Sequence, residues 1–158
     1  MRKFLLSEDQ FQRAREFALL VEKKDVYKNT GSFKNHLVGR LGEIAYGLHI
    51  NVSPNWDVWN YKGDDGVDFG ISGAQVKTTT YNKSPKRLLV RRKPGSLTEE
   101  IKRFVLAYVD YEKNPYTVYL VGEISYENFM LRKFTYTDKF NNVYDAVNER
   151  DLDILYRP

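Results

Sequence analysis

The sequence predicts an α+β domain, and three observations carry that reading. Apolar residues recur at helical spacing in the first third of the chain. A run of short apolar strands separated by turn signals follows, and a short helical stretch lies near the end. No internal repeat, low-complexity tract or linker interrupts this order of helices then strands. A length of 158 residues suits one domain with a substantial core, so residues 1–158 read as a single unit.

The elements follow in order. Ser7 with Gln10 makes a capping-box pattern, and Phe11, Ala14, Ala18 and Val21 give the first helix an apolar stripe ending near Lys23–Lys24. Asn29-Thr30-Gly31 is a turn signal. A second helix is expected after Ser32, running to about His49 with Leu37, Val38, Leu41, Ala45 and Leu48 inward. Glu43 sits in that helix among Gly39, Gly42 and Gly47, small residues that permit close approach to a sheet. Residues 51–66 read as irregular, with turn signals at Ser53-Pro54-Asn55 and Gly63-Asp64-Asp65-Gly66.

Val67 to Thr78 reads as a hairpin closed by a two-residue Ser72-Gly73 turn. That closure pairs Ile71 with Ala74, Phe69 with Val76 and Asp68 with Lys77. Val67, Phe69, Ile71, Ala74 and Val76 then share an apolar face, and Asp68, Gln75 and Lys77 meet on the other. Leu88-Leu89-Val90 is a short strand with basic flanks. Phe104–Asp110 and Tyr116–Ile124 are strands joined at Lys113-Asn114-Pro115, Ser125–Leu131 is a helical turn or two, and the tail mixes short extended and helical pieces. Its acids Asp145, Glu149, Asp151 and Asp153 alternate with apolar residues and read as a solvated face.

Composition narrows the chemistry. The chain has no cysteine, which excludes disulfides, thiolate zinc sites and cysteine nucleophiles. Only His36 and His49 are present, and neither falls in a nucleophile or metal-ligand pattern. A hydrolytic site would therefore rest on carboxylates, amides, lysine and a hard cation such as Mg²⁺. No apolar run approaches the roughly 18 residues of a membrane span, and the N-terminus turns acidic at Glu8 and Asp9, so the expectation is a cytoplasmic protein with no membrane partner. The net charge of +4 alone says little about partners.

Asp68, Gln75 and Lys77 admit two readings. One is a half-buried hairpin with a cross-strand Asp68–Lys77 ion pair, which contributes about 0.2–1 kcal/mol. The other is a cation and phosphate site, which needs a further ligand, and Glu43 can supply it. Taken together, Gly39-Arg40-Leu41-Gly42-Glu43, then Gly63-Asp64-Asp65-Gly66-Val67-Asp68, then Gln75-Val76-Lys77-Thr78 resembles the PD-(D/E)XK nuclease superfamily over about residues 35–125. The G-x-x-G-E and V-K-T segments are similar to small endonucleases of phage, plasmid and Holliday-junction-resolvase type. Two positions depart from that pattern: Val67 stands where proline is usual, and Gln75 stands where the family has an acid.

The resemblance implies a restriction-endonuclease-like core, a mixed central sheet flanked by helices, and Mg²⁺-dependent hydrolysis of DNA, with Mn²⁺ able to substitute. It implies Asp68 as central metal ligand, with Gln75, the Val76 carbonyl and Glu43 completing the protein side. Lys77 would orient water and offset phosphoryl charge. Gln75 brings no charge, so metal affinity falls or the work shifts to Glu43 or Asp65, and a non-catalytic DNA-binding module is the alternative. A homodimer is a further implication, since cutting two strands takes two sites. An RNA-directed nuclease or an interaction protein on the same fold is a third reading.

The basic residues Lys83, Lys86, Arg87, Arg91, Arg92 and Lys93, with no acid among them, are expected to hold DNA phosphates beside the site. A solvated loop and lysine-rich edge strand is the other reading. Tyr81 and Asn82 are candidates for sugar or base contacts. Trp56, Trp59 and Tyr61 either stack on bases or pack the sheet edge, and packing is the reading favoured by aromatic chemistry.

Overall fold

The capping box at Ser7 forms, with Gln10 N donating to Ser7 Oγ at 3.1 Å and Ser7 N donating to Gln10 Oε1 at 2.9 Å. It opens helix α1 (Glu8–Lys24), which buries Ala14, Phe17, Ala18 and Val21. The computed structural model describes residues 1–24, 32–58, 67–94 and 96–155. The turn signals expected at Asn29-Thr30-Gly31 and Gly63–Gly66 lie outside the described residues. Ser32 caps α2 (Phe33–Ile50) by accepting Asn35 N at 3.3 Å, and Asn51 ends it in the left-handed region at φ 56°. Leu37, Val38, Leu41 and Ala45 are buried as their spacing predicts. Leu48 is instead 45% exposed, because α1 opposes it with Gln10 and Arg13 at the rim of a shallow groove.

The strands form two sheets. The first has the order β1 (Arg2–Leu5), β5 (Thr117–Ser125), β4 (Arg103–Val109), β2 (Ala74–Thr79). It is mixed: β2 runs parallel to β4 and the other pairings are antiparallel. The second is antiparallel, in the order β3 (Arg87–Arg91), β7 (Val143–Asn148), β6 (Phe134–Thr137). A short helix α3 (Tyr126–Arg132) joins them, capped by Ser125 Oγ accepting Asn128 N at 3.2 Å. The fold class is α+β with a mixed central sheet, as expected. The N-terminal strand and the sheet formed by the tail are additions to the reading of the sequence.

Two apolar cores set three layers. One packs α1 and α2 on the face of the first sheet that carries Ala74, Val76, Val105, Ala107, Val118 and Leu120. The other fills the space between the sheets with Leu88, Val90, Phe104, Leu106, Ile124, Phe129 and Val147. The sequence places small residues where α2 meets β2. A Cβ on Gly42 would lie 1.9 Å from Thr78 Oγ1 and 3.1 Å from Ala107 Cβ, so only glycine allows this approach. Among the described residues no helix is long and apolar enough to cross a membrane.

The hairpin before β2 differs from its expected register. Phe69 bridges Ala74 in place of Val76, and residues 70–73 form a wider turn. Ile71 is 88% exposed rather than part of an apolar face, and Val67 packs with the inter-sheet core, away from Phe69 and Val76. The physical reason is competition for β2. On one side β2 ladders with β4, and on the other the Asp68 carboxylate takes the Val76 N–H that a hairpin partner would have used. Gly73, at φ 62°, turns the chain with its carbonyl accepting Lys102 N at 2.8 Å.

Candidate metal and nucleic-acid site

Strand β2 is the edge of the first sheet, and its alternation sorts the candidate residues. Thr78 and Val76 face α2, so Gln75 and Lys77 face the inter-sheet side with Phe104 and Leu106, their neighbours on β4. Gln75 is buried and Lys77 is half-buried. Asp68 lies at the strand's edge, with Oδ2 accepting Val76 N at 2.7 Å. A strand residue directs its N–H and C=O to the same side, so the Val76 carbonyl opens onto the edge where Asp68 stands. One carboxylate, one backbone carbonyl and the Gln75–Lys77 pair are thereby gathered on three consecutive residues and their edge neighbour.

Glu43 occupies a different setting. Its Oε2 accepts from Arg40 Nη1 at 2.6 Å, with both side chains nearly buried. Arg40 also donates to Asn55 O at 2.9 Å and stacks on Phe17, its guanidinium carbon 3.7 Å from the ring centroid. Glu43 is thus anchored in the helical layer rather than solvated, with the charged partner that the sequence placed three residues before it. Among the described residues no three His, Asp or Glu side chains cluster closely enough to hold a metal. Asp64 and Asp65 lie outside the described residues. The donor set at Asp68 still suits a hard cation that keeps much of its water, because Mg²⁺ commonly rests on one or two carboxylates with oxygens of water and phosphate.

The chain was compared with protein-family models, curated proteins and solved structures, and none matches.

The basic stretch divides by face. Lys86 is buried, its Nζ 4.8 Å from the Tyr108 ring centroid. Arg92 donates to Asp145 Oδ1 at 2.6 Å, so part of its charge is spent inside the fold. Arg87 and Arg91 lie on the outer face of the second sheet, and Lys83 and Lys93 are exposed. The acidic tail divides likewise: Asp153 is exposed and Asp151 half-buried, as a solvated face requires, whereas Asp145 departs from it. Asp145 is buried on the inner face of β7, where Lys133 Nζ adds a second ion pair at 3.1 Å. Burial pushes the Asp145 carboxyl up, and the hydrogen bonds and charges of Arg92 and Lys133 outweigh it, holding the group below the usual carboxylate range. Glu149 accepts from Ser84 Oγ at 2.5 Å.

The aromatic candidates also separate. Trp56 packs on α1, edge-on to Phe17 with centroids 5.8 Å apart and under Arg13 at 4.3 Å, while Tyr81 is 53% exposed. Trp59 and Tyr61 lie outside the described residues. His49 is taken up by Arg2, whose guanidinium meets its Nδ1. Burial first, and then the Arg2 charge, lower the pKa of that imidazole. The sequence reading missed Tyr136 and Tyr144, which share the outer face of the second sheet. The signal available for them was the period-two placement of Tyr144, Ala146 and Asn148 on the face opposite Asp145 and Val147, although Ala146 is itself buried.

Proposed function

We propose that this chain is a metal-dependent DNA endonuclease whose site gathers at the edge of β2. The observation that carries the reading is the 2.7 Å bond from Val76 N to the Asp68 carboxylate. It holds a carboxylate beside the Gln-x-Lys segment in the chain order the nuclease resemblance requires. Asp68, the Val76 carbonyl and the Gln75 amide would hold Mg²⁺ or Mn²⁺. Such a cation, when bound, stabilises charge on phosphoryl oxygens and makes water a nucleophile near neutral pH. Lys77, on the same strand, supplies fixed positive charge where negative charge develops. Glu43 already gives one oxygen to Arg40, so its part is to fix α2 against β2 and to act on the metal at most through water. Arg87, Arg91, Lys83 and Lys93 remain as the phosphate-binding cations of the basic stretch.

A DNA-binding module that does not cut is the second reading. It is favoured by the neutral Gln75 at the acidic position and by the absence of a three-acid cluster among the described residues. One experiment separates the two: cleavage of supercoiled, linear, single-stranded and four-way-junction DNA in Mg²⁺, Mn²⁺ and EDTA. The nuclease cuts in metal only, and Asp68→Ala or Lys77→Ala abolishes cutting while leaving DNA binding and fold nearly intact. Full activity in either variant sinks the site assignment. Binding that is equal with and without metal, and never followed by cleavage, establishes the module.

A further inference from the structure

The second sheet closes the inter-sheet core with one face only. Its other face is carried outward by the alternation of β7, with Tyr144 directly opposite Tyr136 on β6 and Arg91 on β3. The two tyrosine rings lie 6.3 Å apart at 42°. The Arg87 guanidinium sits 5.0 Å from the centroid of the Tyr136 ring, a cation stacked on an aromatic face. Phe134, two residues before Tyr136 and so on the same face, is 39% exposed. Arg91 is exposed and oriented by its bond to Asn142 Oδ1 at 3.0 Å. Beside Arg87, Phe134 and Asn148 a groove of about 660 Å³ continues to Arg150.

These residues are not what an idle solvated sheet face requires. Such a face is served by threonine, lysine and glutamate, whereas this one presents three aromatic rings interleaved with arginines. The acids beside it are engaged, and Asp151 pairs with Arg150 at 3.9 Å. Asp138 accepts from Asn142 Nδ2 at 3.0 Å, from two backbone N–H groups and from the Tyr144 hydroxyl, and Glu149 accepts from Ser84. What remains is a pair of tilted, half-buried tyrosine rings with Arg87 on one of them and Arg91 beside the other. That chemistry matches a chain of planar bases joined by phosphates, since stacking accepts any base and arginine meets the backbone.

The geometry points to the outer face of β3–β7–β6 as a platform for unpaired bases of a single nucleic-acid strand. Tyr144 stacks one base, the Arg87 guanidinium layered on Tyr136 stacks another, and Arg91 meets the phosphates. The inference goes beyond the cleavage reading, with which it shares only Arg87 and Arg91; Tyr136 and Tyr144 belong to the platform alone, and binding is measured in EDTA, where the outcome is independent of any cutting.

The experiment is fluorescence anisotropy of the full chain with labelled oligothymidylate, oligouridylate and a duplex DNA of equal length. Single-strand binding is expected to fall in the tyrosine variants while duplex binding stays unchanged, and the ratio of the two single-strand arms tells DNA from RNA. Tyr136→Ala and Tyr144→Ala should each weaken binding roughly 5- to 150-fold, the loss of one stacked base. Tyr136→Phe, which keeps the ring, should stay within about twofold of the parent. Arg91→Ala, a surface change that leaves the core alone, should reduce the salt slope by about 0.7, one phosphate contact on a single strand. Circular dichroism establishes that each variant is folded, and the Arg91→Ala slope carries the test if a tyrosine variant is not. Alanine variants that bind the single strands as tightly as the parent, or an unchanged Arg91→Ala slope on them, overturn the platform.

Discussion

At residue 75 an amide stands beside Asp68 and Lys77, and the charge at the edge of β2 follows from it. With one carboxylate the site should bind Mg²⁺ weakly, and Gln75→Glu should tighten it by adding charge at the same position. Thermal melts with and without Mg²⁺ read this without any turnover. Saturation to about 100 times Kd raises stability by about 2.7 kcal/mol. Gln75→Glu should reach that rise at lower Mg²⁺ than the parent, and Asp68→Ala should show no Mg²⁺-dependent rise at all. An equal rise in Asp68→Ala would place the metal elsewhere. Asp145 belongs to stability instead. Its folded pKa lies below the unfolded value of about 3.9, so its contribution is complete above that pH and is lost as pH falls through the folded value. Asp145→Asn should cost about 1–3 kcal/mol at neutral pH, less than a fully buried pair because Arg92 and Lys133 reach water, and should flatten the acid limb of the stability curve. Urea melts from pH 3 to 7 check both. The sequence brought Asp68 near Gln75 and Lys77 through a hairpin register that the structure lacks, and their proximity rests instead on the Asp68 carboxylate accepting Val76 N. Asp145 was not legible, because its partner Arg92 lies far away in the chain and meets it only across β3 and β7.

At the scale of elements, α2 sets how closely helix and sheet approach. Two of its glycines have opposite surroundings. A Cβ at Gly39 meets nothing within 4 Å, whereas one at Gly42 collides with Thr78. Gly39→Ala should therefore stabilise by about 0.5–1 kcal/mol through helix propensity. Gly42→Ala should destabilise by about 1–3 kcal/mol as an overpacked contact, with part recovered in Gly42→Ala/Thr78→Ala. Chemical denaturation of the four proteins tests the contrast, and equal effects at the two glycines would contradict this packing. Both helices were legible because caps and apolar stripes are local signals. The hairpin register was not, since nothing in the Val67–Thr78 string announces that β4 competes for β2. The faces of β5 were obscured similarly. A shift in register opposite Leu106 and Ala107 lets Leu120 face the helices and Ile124 face the second sheet, although they stand an even number of residues apart.

For the whole molecule, the two sheets partition the basic stretch into cations that hold the fold and cations that face outward. Replacing Lys86 or Arg92 should lower stability more than nucleic-acid affinity, and replacing Arg91 should do the reverse. Paired melts and salt titrations decide it, and a stability loss for Arg91→Ala as large as that for Arg92→Ala would refute the partition. The α+β class was legible from element order, and the existence of the second sheet was not. Its strands alternate visibly enough, but alternation does not name a partner, and β3 finds β7 only through the folded chain.

That pairing has a consequence for how the protein is made. Strand β3 leaves the ribosome well before the residues that will cover it, and its apolar side chains Leu88 and Val90 close their core only when Val147 arrives. Until then the nascent chain carries an unzipped, sticky strand in the connection between parallel β2 and β4. A chain stopped after Arg132 lacks β6 and β7 altogether and should partition into aggregates that the full-length chain avoids. Solubility of the two lengths after synthesis in a cell-free extract measures it, and equal solubility would show that β3 is protected before its partner exists.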